Sequence, residues 1–128
     1  MPAQGRSALR LPRVPRGPAA FCLGSELMIQ ATLAIQVLPL DTIHAVDAID
    51  AAIVVILGSG VEHEIGAMET TLEGDSLSEL LEIAHRAHRA ALETAGGPVQ
   101  TNIRMIESPH GILTMREKTT PFRRESAA

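Results

Sequence analysis

Two histidines one helical turn apart, His85 and His88, are the residues whose spacing could most readily do chemistry, because i, i+3 imidazoles on a helix can share a metal ion. Only Glu82 lies within a turn to extend the ligand set, and His88 falls inside an apolar stripe with His85 at its edge. A core histidine and a surface histidine are therefore expected, without a metal. His44, His63 and His110 have no companion at ligand spacing. Cys22 is the sole cysteine, which excludes an intramolecular disulfide and a cysteine-rich zinc site and suits a reducing, cytoplasmic compartment. No Cys/His or Ser/His/Asp grouping suggests a catalytic constellation, and no cofactor is implied.

The elements that would position the remaining hydroxyls and carboxylates follow from periodicity. Ala31, Leu33, Ile35 and Val37 alternate with Gln30, Thr32, Ala34 and Gln36, the signature of a half-buried strand. Leu38-Pro39-Leu40 ends it. Asp41 or Thr42 can cap a helix with the stripe Val46, Ile49, Ile53, Ile56 and Leu57, closed by Gly58-Ser59-Gly60. Val61, His63 and Ile65, the turn at Gly66-Ala67, and Met68, Thr70 and Leu72 read as a hairpin. Ser76 and Glu79 form a capping box for a second helix with the face Leu77, Leu80, Leu81, Ala84, His88, Ala91 and Leu92, ended by Gly96-Gly97-Pro98. Val99, Thr101, Ile103 and Met105 alternate as a last strand.

A chain of 128 residues is the size of one domain. The element order predicts an α+β fold, a ferredoxin-like βαββαβ sandwich whose four-stranded antiparallel sheet carries both helices on one face, with the first and third strands central. This domain spans residues 28–107. Residues 1–27, with Pro2, Pro12, Pro15, Pro18 and four scattered arginines, read as a disordered basic extension or, preferably, as a start assigned upstream of Met28. Residues 108–128 read as a mobile tail. No apolar run approaches the ~18 residues of a membrane helix, so insertion in a membrane is not expected.

The sheet face away from the helices presents Thr32, Gln36, Glu62, Glu64, Glu69, Thr71, Glu73, Gln100, Asn102 and Arg104. The domain holds twelve carboxylates against Arg86, Arg89 and Arg104, a net −9. Nucleic acid is therefore not an expected partner: base stacking needs aromatics, and Phe21 and Phe122, the only ones, fall outside the periodic region. Acylphosphatase chemistry needs an arginine-bearing cradle after the first strand, and metal carriage needs a C-x-x-C pair there. Leu38-Pro39-Leu40-Asp41-Thr42 supplies neither. An amino-acid-sensing ACT-like module remains open, as does a small enzyme whose site is completed between subunits.

Ser59-Gly60, Met68 to Asp75, Val46-Asp47, His88 and Thr101-Asn102-Ile103 resemble, in that arrangement, the small thiamine-binding-protein family, relatives of YkoF-type binders of thiamine and hydroxymethylpyrimidine. The similarity covers about Ile29 to Met105. It implies a ferredoxin-like subunit, a homodimer or homotetramer, and non-enzymatic binding of thiamine or its pyrimidine fragment as a small-molecule ligand. The sequence departs from the family where Ala67-Met68-Glu69 replaces Pro-Met-Gly, where Pro98 replaces an arginine opening the last strand, and at Ile106-Glu107-Ser108-Pro109.

Under this resemblance Glu73 is the first candidate ligand residue, since a carboxylate accepts from an aminopyrimidine and offsets a thiazolium charge. Its alternative is a solvated strand glutamate. Thr70 and Thr71 offer hydroxyls, but alternation points them to opposite faces, so both cannot line one pocket without a bulge. Ser59 serves equally to satisfy a helix C-terminus. Asn102 is a weaker candidate, and Arg104 a charge partner for Glu69 or Glu73.

Overall fold

The computed structural model describes residues 28–41 and 43–123. The readings of residues 1–27, of Cys22 and of Thr42 lie outside them. Strand β1 (Met28–Pro39), helix α1 (Ala45–Leu57), strands β2 (Glu62–Ile65) and β3 (Thr70–Gly74), helix α2 (Leu77–Ala95) and strand β4 (Val99–Leu113) follow in order, and a short helix α3 (Met115–Thr119) runs into a 3-10 turn at Thr120–Phe122. The sheet is ordered β2-β3-β1-β4 with every pairing antiparallel. This is the ferredoxin-like α+β sandwich that the alternation and capping signals predict.

Leu33 pairs with Leu72 on β3 and Met105 on β4, which sets these three on the helix side. Thr32 pairs with Glu73, and Ala34 with Thr71 and Arg104, on the opposite face. The core beneath the helices is built from Ala31, Leu33, Ile35, Leu72, Leu80, Ile83 and Ile56 with Ala48, Ala52, Ala84, Ala87, Ala91 and Ala95. Alanines let the two helices and the sheet approach closely, and they set which side of α1 is buried. The buried line is Ala48, Ala52 and Ile56, whereas Val46 of the expected stripe is 71% exposed and Ile49 and Leu57 are exposed as well. The stripe is thus rotated from its expected position, because close packing against α2 accepts methyl groups and leaves the larger side chains at the flanks.

Caps follow the same local logic with one exception. The Ser76 hydroxyl accepts the Glu79 amide at 3.2 Å, and Gly96 closes α2 at φ +65°, a conformation that favours glycine. Helix α1 begins later than expected. Its N-cap position is His44, without a side-chain cap, and Asp41 instead accepts the Ile43 amide at 3.0 Å in a turn that precedes the helix. His88 is half-buried with Nδ1 2.6 Å from Thr101 Oγ1 on β4, and His85 is exposed, as the helical stripe requires.

The expectation of a tail beginning at residue 108 is corrected. Strand β4 continues to Leu113, and residues 108–111 stand opposite Gln30 alone, forming a bulge between the Ala31–Glu107 and Ile29–Ile112 pairs. Pro109 is accommodated because β4 is an edge strand and the bulge does not need its missing N–H. Gly111, at φ +90°, completes the bulge where a Cβ would stand 2.7 Å from Met28 Cε. After β4 the chain turns back over the polar face of the sheet. The Thr114 hydroxyl caps α3 by accepting the Glu117 amide at 3.1 Å, and Arg123 lies 3.6 Å from Glu64 of β2.

Candidate ligand-binding site

Pairing between β1 and β3 stops at Ile35–Thr70, while pairing between β1 and β4 continues to Pro39–Val99. Gln36, Val37 and Leu38 therefore have no strand beside them on the β3 side. The space left there is a groove of about 340 Å³, walled by Ile49, Ala52, Ile53 and Ile56 of α1, by Ile35 to Leu38 of β1, and by the hairpin turn with Met68, Glu69 and Thr70. The turn is drawn tight by the Gly66 amide donating to the Glu69 carbonyl at 3.0 Å. A Cβ on Gly66 would meet that carbonyl oxygen at 2.7 Å, so the residue must remain glycine for the turn to keep this shape.

The five candidate residues do not converge. Thr70, 7% exposed, is on the helix side of β3 and lines the groove. Thr71 is on the opposite face, and β3 pairs on both sides without a register shift, so the two hydroxyls are separated by the sheet as alternation predicts. Asn102 is exposed on that polar face, where its amide donates to Gln36 Oε1 at 3.2 Å and its Oδ1 accepts from Gln100 at 3.2 Å. The Ser59 hydroxyl donates to the Ile56 carbonyl at 2.6 Å and accepts the Val61 amide at 3.4 Å, the helix-ending role that the sequence left open for it.

Glu73 is neither solvated nor free. It is 7% exposed, and its Oε2 accepts the Met115 amide at 2.7 Å at the start of α3. A carboxylate among the unpaired N–H groups of a helix N-terminus is a favourable arrangement. The alternative of a solvated strand glutamate on an open face is corrected accordingly, because the segment after β4 covers it. Thr32 Oγ1, on the residue paired with Glu73, and Glu117 Oε2, on α3, are both buried without a partner among the described residues.

Sequence reasoning missed Glu69 as a site residue. Its carboxylate forms an ion pair with Arg104, for which the sequence allowed Glu69 or Glu73 as partner, and the residue lines the groove. The signal was present in the substitution of glutamate for glycine beside Met68. No group of three or more His, Cys, Asp or Glu among the described residues could hold a metal ion. No helix among them is long and apolar enough to cross a membrane.

Comparison with known proteins assigns the family. The profile of the thiamine-binding protein family matches residues 33–123. A UPF0045 protein of Clostridium perfringens is 32% identical over 97 residues, which cover 75% of this chain and all of that protein. Among solved structures, a domain of unknown function from Bacillus cereus is 36% identical with a TM-score of 0.67, over 75% of this chain and 92% of that one. A Thermotoga maritima protein described as a putative thiamine biosynthesis/salvage protein is 26% identical with a TM-score of 0.65, over 73% of this chain and 99% of that one. The chain belongs to the thiamine-binding protein family, a membership that supports a binding rather than a catalytic role.

Proposed function

We propose that this protein binds thiamine or a related pyrimidine such as hydroxymethylpyrimidine, non-enzymatically, in the groove between α1 and the β2–β3 turn. The observation that carries this reading is the meeting, in one groove, of the family-like residue Thr70 with apolar walls from α1 and Met68. Its volume of about 340 Å³ lies in the range of small-molecule sites, which are mostly apolar with a few placed polar groups. A flat heteroaromatic ring suits it, presenting apolar faces to Ile49, Ile53 and Met68 and polar edges to Thr70, Glu69 and the unpaired side of β1. Of the residues that the resemblance implied, this reading keeps Thr70 in contact with ligand. It assigns Glu73 to holding the C-terminal segment.

The reading includes self-association into a homodimer or larger assembly. It is supported by two apolar surfaces that a monomer leaves in water: Val46 and Val54 on the outer side of α1, and Ile106, 57% exposed, on the edge strand β4.

Calorimetric titration with thiamine and hydroxymethylpyrimidine tests the proposal, with Thr70→Val as the variant. Valine keeps the shape and loses only the hydroxyl, so a net hydrogen bond of about 1 kcal/mol predicts a roughly five-fold loss of affinity. Binding of neither compound by the wild-type protein would remove this class of ligand.

A further inference from the structure

Glu69, a residue of the groove wall, has its carboxylate held by a reach across the sheet. Arg104 on β4 and Thr71 on β3 flank Ala34 of β1 in register, all on the polar face. Glu69 precedes the start of β3 on that same side. The Ala34 side chain on β1 is only a methyl group, and past it the Arg104 guanidinium reaches diagonally to Glu69 Oε1. The Glu69 side chain is only one-third exposed, and the residue forms part of the groove wall.

A carboxylate offers about four acceptor positions and no donor. The guanidinium engages one oxygen and fixes the group's orientation, which leaves acceptor capacity for an incoming N–H. The pair is also close to neutral as a unit, so it recognises a hydrogen-bond donor more than a bulk positive charge. Together these features point to recognition of an amino group. We infer that Glu69 is a specificity-determining residue of the groove, positioned by Arg104, and that it selects ligands carrying an exocyclic amino group over those with an oxo group at the same place. This rests on the groove being the ligand site. An oxo group brought against Glu69 sets acceptor against acceptor and leaves both unpaired, whereas an amino group donates to an ionised partner.

The decisive measurement is the ratio of dissociation constants for thiamine and oxythiamine, the analogue whose amino group is replaced by an oxo group. Wild-type protein should prefer thiamine by roughly ten-fold or more. Glu69→Gln, whose amide can turn to donate, should bring the ratio to within about three-fold of unity. Arg104→Met, which keeps the alkyl stem, should lower the preference in part, and Arg104→Lys should restore some of it. A purely structural role for the pair would weaken both compounds together and leave the ratio unchanged, and that result overturns the inference. Equal binding of the two compounds by the wild type overturns it as well, with the groove still standing as the site. Binding of neither compound removes the site reading and this inference together.

Discussion

The carboxylate of Glu73 and the backbone amide of Met115, far apart in sequence, meet at 2.7 Å and fasten the segment after β4 to the face of the sheet that carries no long helix. Through that bond a strand residue becomes the partner of a helix start, and the segment Thr114 to Arg123 closes over Glu73. Arg116, Lys118 and Arg123 lie in this segment, and Glu62 and Glu64 lie on the strand beside Glu73, so charge favours the closure. The Arg123–Glu64 pair, at 3.6 Å and half exposed, adds little by itself.

Glu73→Ala should therefore destabilise the protein by about 1.5–3 kcal/mol, the usual worth of a hydrogen bond to a charged group. It should also speed tryptic cleavage at Arg116 and Lys118 while changing ligand affinity by less than about two-fold. Urea denaturation and timed proteolysis check both. Unchanged stability together with lost ligand binding would return Glu73 to the ligand site.

Thr101→Val removes the partner of His88 Nδ1 and leaves a half-buried imidazole nitrogen without its 2.6 Å contact. The expected loss is about 1 kcal/mol in denaturant unfolding. A variant as stable as the wild type would mean that water satisfies the ring equally well.

Gly111→Ala tests the bulge. At φ +90° an alanine is strained by roughly 1–2 kcal/mol, and its Cβ must displace the Met28 methyl group. Lower thermal stability is expected, with faster amide exchange at Ile112 and Leu113 than in the wild type. Gly58→Ala, at a glycine with φ −81° where a Cβ meets nothing closer than 3.5 Å, serves as the comparison.

Self-association should respond differently at the two apolar surfaces. Ile106→Lys places a charge on an exposed edge strand, and Val54→Asp places one on the outer side of α1. Sedimentation at micromolar concentration should show dissociation for at least one of them. Wild-type protein that sediments as a monomer removes the assembly altogether.

Much of this architecture is legible in the sequence because its signals are local. Period-two alternation marks Ala31 to Val37, Ser76 and Glu79 mark the start of α2, and Gly96 marks its end; each depends on residues within a turn or two of one another. The same alternation correctly separates Thr70 from Thr71. Tertiary structure alone decided what depends on distant partners. The buried side of α1 follows the alanines that α2 can approach, not the larger side chains that hydropathy favours. Strand β4 runs past Pro109 because β1 remains available beyond a bulge, which no local pattern announces. Glu73 is buried because the chain returns over it, and Glu69, at the groove through the hairpin turn, has its carboxylate claimed by Arg104 from across β1. Alternation can place these carboxylates on one face of a strand, but the partner that claims each of them comes from a segment whose position only the folded chain defines.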